Sequence, residues 1–339
     1  MVPLARVYRG GLLESFHSGS IAVVDAHGKL LAFAGDPAFV TCIRSAAKPF
    51  QALPLLENGG ADEFDLLPEE IALTCASHGG EPVHVATAAA LLRKGDFDEE
   101  DLLCGAHAPY DEKAAAELRA SGEPPSALHN NCSGKHAGML LATKVMDLPS
   151  ARYIDRDHPL QEAMHEALAE YAGIDRTAIA TATDGCGVPA FFLSLYRTAH
   201  AYARLMQSSD DAATRVVEAM TSFPEYVGGS WTITTPLMQA FSGELLAKEG
   251  AEGMYAMALA PRLTERLDVA DDAAIGIVIK IADGSMTRGR NPVILKTLEL
   301  LGVDLSSRPA LDRYREWPLR NVAGTLVGDV RAEFELEFL

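Results

Sequence analysis

The pattern of apolar residues changes twice along this 339-residue chain, and that order constrains the fold more than any other feature. Period-two alternation near the N-terminus predicts strands at 20–25, 29–33 and 39–43. Helical periodicity follows and predicts helices at 44–56, 82–93, 111–119, 134–146, 158–173, 194–206 and 211–221. Strands return at 244–248, 253–259, 274–282 and 324–335, with a helix at 291–301.

This order predicts an α/β (α+β) fold in which both chain ends build one antiparallel sheet and a helical lobe is inserted between them. We expect a single catalytic unit over 1–339, with β-rich parts at about 1–60 and 240–339 and the helical lobe at about 61–239. Hydrophobic residues make up 48% and charged residues 22%, which is ordinary globular usage and excludes a disordered, collagen-like or coiled-coil chain.

Charge and cysteine content narrow the possible partners and location. The 47 acidic and 29 basic residues give a formal net charge of -18, which repels phosphate backbones and anionic membranes, so we expect no nucleic acid and no membrane partner. We see no secretory signal pattern and no apolar run near the roughly 20 residues that span a bilayer. Five cysteines are too few, and odd in number, for a disulfide framework. These features predict a cytoplasmic protein.

Ser45 and Lys48 form an S-x-x-K element at the start of a predicted helix, where side chains three positions apart share one face. A serine hydroxyl becomes a good nucleophile when a base takes its proton, and a partly desolvated lysine can be that base. Lys248 and Gly250 form a K-x-G element roughly 200 residues later, the order found in serine β-lactamases and penicillin-binding proteins. The alternatives are a helix-capping serine beside a solvated lysine, and a strand-end lysine before a turn glycine.

Cys132 and Cys186 each lie in a glycine-rich turn, where the backbone can approach a ligand closely. Thiols from separate loops can share a zinc ion, and the nearest candidates for a third ligand are Lys135 and His136. The alternative is that both cysteines are buried as small apolar side chains. The remaining cysteines, which we expect in the core, are Cys42, Cys75 and Cys104.

The segment 76–81 ends an apolar run with polar groups and two glycines, which is typical of a loop at a site. Ser77 and His78 lie within this segment, and His84 follows it. Either histidine can serve as a ligand or a base, although histidines with satisfied structural hydrogen bonds are more common.

Four segments taken together resemble the rhizobial-type (class 3) L-asparaginases of the asparaginase II family. They read RSAAKPFQ from Arg44, ASHGGEPVH from Ala76, NNCSGKHAGM from Asn130 and DGCGVP from Asp184. The likeness continues through KEGAEG from Lys248, DGS from Asp283 and NVAGTLVG from Asn321, so it covers nearly the whole chain. The NNCSGKHAGM run is the most specific of these segments.

The resemblance implies an amidohydrolase that splits L-asparagine to L-aspartate and ammonia, on a fold similar to serine β-lactamases and glutaminases. It implies two serine-lysine pairs, which correspond here to Ser45 with Lys48 and to Ser77 with Lys248. In the leading hypothesis Ser45 attacks the side-chain amide carbon, Lys48 is the general base, and Ser77 with Lys248 relays protons. The sequence does not fix which serine is acylated.

The same resemblance implies a cofactor, substrate contacts and a partner. The implied zinc ligands are Cys132, Lys135 and Cys186, with the lysine bound as the neutral amine. His136 and Asp184 are expected at the α-amino end of the substrate, and Arg44 either orients its carboxylate or braces the motif. Members of the family assemble as homodimers, so we expect a homodimer.

One segment departs from the family pattern, and two alternatives to the leading hypothesis stay open. Family members usually carry G-x-x-R-x-x-T-x-L-M, whereas this chain reads GSWTITTPLM from Gly229, so Thr232 stands in place of the arginine. If that arginine anchors a carboxylate or braces the site, substrate choice or rate changes. The alternatives are a related serine amidohydrolase acting on glutamine, a β-lactam or a peptide amide, and a non-catalytic zinc-holding homologue.

Overall fold

A computed structural model describes residues 1–260, 263–264, 266–267, 269–270 and 272–339 of the chain. The strands are β1 (Val2–Arg9), β2 (Leu12–Asp25), β3 (Leu30–Ala34), β4 (Val40–Cys42), β5 (Ala180–Thr183), β6 (Pro189–Ser194), β7 (Leu245–Glu249), β8 (Met254–Leu259), β9 (Ile275–Ile281), β10 (Glu316–Arg320), β11 (Leu326–Ala332) and β12 (Glu337–Phe338). The α-helices are α1 (Lys48–Glu57), α2 (Gly60–Glu63), α3 (Pro68–Thr74), α4 (Pro82–Lys94), α5 (Glu112–Ser121), α6 (Ser133–Val145), α7 (Pro159–Ala172), α8 (Leu195–Gln207), α9 (Asp211–Ser222), α10 (Pro224–Gly228), α11 (Thr234–Phe241) and α12 (Arg290–Leu300).

The chain folds into two compact units, each formed from separate stretches of sequence. Unit 1 comprises Met1–Ala46, Leu193–Gln207 and Glu244–Leu339. Unit 2 comprises Ala47–Phe192 and Ser208–Gly243. The first division between them falls after Ala46, earlier than the expected position near residue 60.

Unit 1 is built on an antiparallel sheet to which both chain ends contribute. Among the described residues its strand order is β10-β11-β1-β2-β9-β8-β7, while β3 pairs with β2 and with β12. Residues 19–25 of β2 pair with all of β9, and the first half of β2 pairs with β1. The side chains of β7, β8 and β9 are buried throughout, which explains why these strands read as apolar runs. The predicted sheet made from both chain ends is confirmed.

Helix α8 packs across this sheet, and one glycine permits the close approach. The helix contacts β9, β2 and β8. A Cβ atom at Gly276 of β9 would collide with the carbonyl oxygen of Ala199 in α8, so only glycine fits here. The sequence pattern assigned α8 to the helical lobe, whereas it belongs to unit 1, because its apolar face covers the sheet.

Unit 2 is a helical assembly centred on α1 and α6. Helix α1 packs against α7, α6 and α9, and α6 packs against α4 and α3. Residues 133–143 of α6 are all buried. A Cβ atom at Gly134 would collide with the carbonyl oxygen of Leu73 in α3, so glycine allows the two helices to touch. Because α6 carries Lys135 and His136, this packing fixes two candidate site residues.

The longer predicted helices are found with ends shifted by one or two residues, apart from the first. Residues 44–47 form a 3-10 turn, and the α-helix begins only at Lys48. Helix α7 is capped by Gly173, whose φ of 62° shows the left-handed conformation expected of a glycine at the end of a helix. None of the helices among the described residues has the length and apolar character needed to cross a membrane.

The strands that the sequence analysis missed are β1, the β5–β6 hairpin, β10 and β12. Strand β1 pairs with β2 and β11 in unit 1. Strands β5 and β6 pair within unit 2, in the stretch expected to be helical. Three of the four residues of β5 are exposed, so it lacks the apolar alternation that signals a half-buried strand.

Candidate active site

Lys48 occupies the centre of a buried cluster in unit 2. It is the first residue of α1, where Pro49 is tolerated because its missing N–H is not needed in the first turn. The side chain is 2% exposed, and Nζ donates to Ser77 Oγ at 3.0 Å and to Cys132 Sγ at 3.2 Å. Nζ also donates to the carbonyl oxygen of Ala76. The lysine therefore faces a hydroxyl, a sulfur and a carbonyl group.

Ser77 is held by the turn that follows α3. Its backbone N–H donates to the carbonyl oxygen of Val227 at 2.9 Å, and the residue is 3% exposed. The next backbone N–H, that of His78, donates to the carbonyl oxygen of Asn131 at 3.2 Å. These bonds fix the loop 76–78 next to the turn that carries Cys132, and so they fix the direction of the Ser77 hydroxyl.

His78 and His84 have structural roles. His78 Nε2 lies 2.9 Å from Ser133 Oγ, and its Nδ1 accepts from the Gly80 N–H at 3.1 Å. His84 Nε2 lies 2.9 Å from the carbonyl oxygen of Glu225, and its Nδ1 accepts from the Glu81 N–H. Burial lowers the pKa of His84. With both ring nitrogens engaged in each case, the two histidines brace the loop.

Asn130 shapes the turn that presents Cys132. Its Oδ1 accepts from the Cys132 N–H at 2.8 Å, and its Nδ2 donates to the carbonyl oxygens of Cys104 and Gly105. Helix α6 starts directly after Cys132. The turn is thereby tied to the neighbouring 104–105 segment before the helix begins, and the sulfur is directed towards Lys48.

The predicted zinc ligands Cys132, Lys135 and Cys186 lie together. Lys135 Nζ donates to Cys186 Sγ at 3.0 Å, and the Cys132 and Cys186 thiols lie close enough to shift each other's pKa. The interaction with Cys186 lowers the pKa of Cys132, and the interaction with Cys132 raises the pKa of Cys186, so Cys132 is the more readily ionised thiol of the two. Burial alone would lower the pKa of Lys135, but the two sulfurs raise it overall.

This donor set is compatible with zinc. Two thiolates and one amine supply three ligands, and all three residues are buried, with Cys132 and Lys135 at the start of α6 and Cys186 in the turn between β5 and β6. Across the described ranges, no group of three or more His, Cys, Asp and Glu side chains is placed to hold a metal ion. A metal in this cluster therefore requires the lysine as a ligand.

His136 lies one residue further along α6 and is fully buried. Its Nδ1 is 2.7 Å from the Tyr153 hydroxyl, which accepts from the Leu103 N–H at 3.0 Å. Burial lowers the pKa of His136, and the nearby Lys135 and Lys48 lower it further, so the ring is neutral. We assign the Tyr153 hydroxyl as the donor to Nδ1, which puts the ring proton on Nε2. Among the described residues this Nε2 has no hydrogen-bond partner.

Asp184 opens the turn between β5 and β6, two residues before Cys186. Its Oδ1 accepts from the Gly185 N–H at 2.6 Å, and its backbone N–H donates to the Val188 carbonyl at 2.8 Å. Its negative charge contributes to the raised pKa of Lys135. The carboxylate is half-buried on the turn that carries a predicted zinc ligand.

Arg44, Ser45 and Lys248 belong to unit 1. Arg44 has a φ of 49°, a left-handed conformation that is uncommon for a residue with a side chain and that marks backbone strain directly before Ser45. The following residue, Ala46, accepts from the Tyr202 hydroxyl at 2.7 Å, which fixes the turn. Ser45 itself is half-buried.

Lys248 is buried in β7 beside a carboxylate. Its Nζ donates to Glu249 Oε1 at 2.8 Å, and both side chains are almost fully buried. Glu249 also lies near Arg290, where burial lowers the pKa of the guanidinium and the Glu249 charge opposes that shift. Lys248 therefore belongs to a buried group of two cations and one acid.

Thr232, at the position of the family arginine, is buried in unit 2. Its Oγ1 accepts from the Thr234 N–H at 3.4 Å, just before α11. A Cβ atom at Gly228 would overlap the Thr232 methyl group, so the space around this side chain is filled. The position therefore holds a small packed residue.

The cluster in unit 2 differs in one contact from the predicted pairing. Lys48 hydrogen-bonds Ser77, a contact that the sequence analysis did not predict. The pairings of Ser45 with Lys48 and of Ser77 with Lys248 stay predictions. Three contributing residues were missed: Tyr153 lies outside every motif, whereas Asn130 and Glu249 stand in the quoted segments without an assigned role.

Comparisons with known proteins give one family and several solved structures. The family model described as L-asparaginase II matches residues 5–332. None of the curated proteins matches the chain.

Among solved structures, the native form of Mglu is 18% identical over 83% of this chain and 63% of that chain, with a TM-score of 0.43. The glutamate form of Mglu is 15% identical over 86% of this chain and 61% of that chain, with a TM-score of 0.43. The octameric penicillin-binding protein homologue from Pyrococcus abyssi is 13% identical over 91% of this chain and 80% of that chain, with a TM-score of 0.40. The chain thus spans a little under two thirds of the length of the two Mglu chains.

Proposed function

The chain belongs to the L-asparaginase II family, a family of amidohydrolases, and on that premise we propose that it hydrolyses L-asparagine to L-aspartate and ammonia. The observation that carries the proposal is the 3.0 Å hydrogen bond between Lys48 Nζ and Ser77 Oγ in a buried cluster. Buried lysine beside a serine hydroxyl is the pairing that acyl transfer needs, because a hydroxyl must lose its proton to attack a carbonyl carbon.

The proposed reaction has two steps. A serine Oγ attacks the side-chain amide carbon while a lysine Nζ takes its proton, and the C–N bond then breaks as the nitrogen receives a proton and leaves as ammonia. Water next adds to the acyl-serine ester and releases L-aspartate, which restores the hydroxyl. The hydrogen bond from Lys48 to Ser77 supports Lys48 as the base for that serine, and the resemblance adds Ser45 and Lys248 as the other two candidate residues.

We assign His136 a contact with a substrate oxygen. Its Nε2 carries a proton and has no partner among the described residues, so it is a donor that a carboxylate or amide oxygen can use. This differs from the expected contact with the α-amino group, which requires an acceptor. Asp184 offers a carboxylate for that ammonium, and Arg44 offers a guanidinium for the α-carboxylate.

We also propose that Cys132, Lys135 and Cys186 hold zinc. Zinc bound there would supply a Lewis acid able to polarise an oxygen atom, with one coordination position open. Elemental analysis after gel filtration should give about one zinc per chain. A Cys132→Ser or Lys135→Ala variant should lose most of it, whereas Cys42→Ser in unit 1 should keep it. A metal-free wild type, or full zinc in both ligand variants, contradicts the assignment.

The assay of function measures the hydrolysis of L-asparagine by the wild type and by serine variants. Purified full-length protein is incubated with L-asparagine at about pH 7 to 9, and ammonia and aspartate are measured; the expected result is equal release of both. Ser77→Ala should lower the rate by about 10²–10⁴-fold, while Ser121→Ala, at an exposed serine ending α5, should leave it unchanged. Ser45→Ala shows whether the second serine is acylated instead.

Three results would overturn the proposed activity. Zinc-loaded protein without ammonia release would favour a non-catalytic homologue. Faster turnover of L-glutamine or of a chromogenic β-lactam would change the substrate. Full activity in both Ser77→Ala and Ser45→Ala would remove the serine mechanism.

Two further proposals concern assembly and location. We expect a homodimer, which light scattering coupled to size-exclusion chromatography should report as twice the mass of the chain; a monomer contradicts it. We also expect a cytoplasmic location, since all five cysteines are free thiols and suit a reducing compartment. Cell fractionation that recovers the protein outside the cytoplasm contradicts this expectation.

A further inference from the structure

Unit 2 contains a cavity that shares no lining residue with the candidate active site. Its volume is about 360 Å³, within the range of pockets that hold small ligands. It lies between α7, the 3-10 turn at 176–178 and the β5–β6 hairpin. The polar residues that line it are Arg156, Gln161, Glu162, His165, Arg176 and Thr181.

Three buried polar atoms of these lining residues have no hydrogen-bond partner within the described part of the chain. They are Gln161 Oε1, His165 Nε2 and Thr181 Oγ1. Gln161 is 1% exposed, and its Nε2 is already used in donating to the Tyr153 carbonyl oxygen at 2.9 Å. Buried polar atoms in folded proteins are almost always hydrogen-bonded, so three unpaired ones around one cavity indicate a missing partner.

The unpartnered atoms are mostly acceptors. Gln161 Oε1 can only accept a hydrogen bond. His165 Nε2 is buried and unpartnered within the described part of the chain, and we assign the ring proton to Nδ1, which makes Nε2 an acceptor. Burial lowers the pKa of His165, which keeps the ring neutral. The Glu162 carboxylate adds a third acceptor and a negative charge to this side of the cavity.

The cations of the cavity are guanidinium groups. Arg156 is exposed and, in the described ranges, makes no ion pair. Arg176 is 3.8 Å from Glu162 and 3.6 Å from Glu166, which is longer than a charge-assisted hydrogen bond. Arg156 is therefore available for bidentate pairing with a carboxylate, and Arg176 can pair with one by replacing its long ion pairs with Glu162 and Glu166.

We propose that this cavity binds an acidic α-amino acid, such as L-aspartate or L-glutamate. Its ammonium group donates to Gln161 Oε1 and His165 Nε2 and faces the Glu162 carboxylate. Its two carboxylates pair with Arg156 and Arg176, and the Thr181 hydroxyl completes the site. A dicarboxylate without nitrogen fills only the cationic half, and a neutral amino acid leaves one guanidinium unpaired.

Calorimetric titration of L-aspartate into the full chain tests the site, in parallel with the same titration of Arg156→Ala and Thr181→Val. Since aspartate is also the proposed product, the wild type should show two binding events per chain. Arg156→Ala should weaken one of them by about tenfold or more and leave the other unchanged. Arg119→Ala, an exposed arginine of α5, is the matched control and should behave as wild type.

The outcomes separate this site from the proposed activity. If the active site does not bind aspartate, the wild type shows a single binding event. Weakening of that event in both cavity variants then supports the cavity proposal independently of the proposed activity. Unchanged binding in both variants overturns the cavity proposal. So does succinate binding as tightly as L-aspartate at the event sensitive to Arg156, because that result would leave the acceptors without a role. Titration of L-glutamate then shows which of the two side-chain lengths the cavity binds more tightly.

Discussion

The two units of this chain surround their buried lysines with different chemistry. In unit 1 the Lys248 ammonium lies 2.8 Å from the Glu249 carboxylate, an acceptor that stabilises the charged form. In unit 2, Lys48 faces the Ser77 hydroxyl and the Cys132 sulfur, and no carboxylate of the described residues lies at ion-pair distance from it. A hydroxyl and a thiol can exchange protons with a lysine, whereas a carboxylate mainly holds the proton in place. The unit 2 environment therefore suits proton transfer better.

Replacing Lys48 should give the largest effect, and it tests whether the lysine of unit 2 transfers a proton. Lys48→Met keeps the length of the side chain and removes the base, so ammonia release from L-asparagine should fall by about 10²–10⁴-fold. Lys48→Arg keeps a positive charge but cannot act as a base near neutral pH, so it should be similarly impaired.

The control for these variants is Lys113→Met, at an exposed lysine of α5, which should retain the wild-type rate. Circular dichroism and thermal unfolding show whether each variant is folded. Near-normal activity in Lys48→Arg would mean that positive charge, and not proton transfer, is what the cluster contributes.

The sequence predicted the sheet from both chain ends, most long helices and the grouping of Cys132, Lys135 and Cys186. The first two follow from apolar periodicity, which is a local property. The third came from the resemblance, because the ligands lie on two distant turns. What spacing could not supply is the contact between Lys48 and Ser77, which are 29 residues apart. That contact depends on how α1 and the end of α3 pack, and packing is not encoded in a motif.

The pairing of Lys248 with Glu249 was missed for a different reason. Neighbouring residues on a strand point to opposite faces, so adjacency alone argues against a contact. The long lysine side chain nevertheless curls back, and Nζ also donates to the Glu249 carbonyl oxygen at 3.1 Å. Tyr153 could not be assigned at all, since nothing in its own surroundings in the sequence marks it as the partner of His136.

Removing the Glu249 carboxylate tests the environment of the buried lysine in unit 1 through the free energy of unfolding. Glu249→Gln leaves Lys248 and the 2% exposed Arg290 as buried cations without their acid. Breaking a buried pair from one side costs about 3–5 kcal/mol, so the free energy of unfolding in urea should fall by about 3 kcal/mol.

Glu14→Gln is the matched control for this measurement, because Glu14 pairs with Arg9 on the surface of the same unit. Its loss should be about 1 kcal/mol at most. Equal unfolding free energies for Glu249→Gln and the wild type would show that the acid contributes little to the fold of unit 1.

The smallest effect concerns a half-exposed carboxylate of unit 1, Asp283, whose Oδ2 lies 2.6 Å from Nδ1 of the buried His17. Partial burial alone would raise the pKa of Asp283, but hydrogen bonds from the Ser285 N–H and from His17 lower it overall. The unfolded chain therefore takes up this proton first, at about pH 4. The stability that Asp283 adds is present above that pH and is lost as the pH falls through the lower folded pKa.

Urea unfolding from about pH 6 to 3 measures this effect. Near pH 6 the free energy of unfolding of the wild type should exceed that of Asp283→Asn, and the difference should disappear as the pH falls. Asp272→Asn, at an exposed aspartate of the same unit, is the matched control for the substitution itself. A gap between wild type and Asp283→Asn that stays constant or widens as the pH falls would contradict the assignment, and would leave Glu249 as the carboxylate on which the contrast with the unit 2 cluster depends.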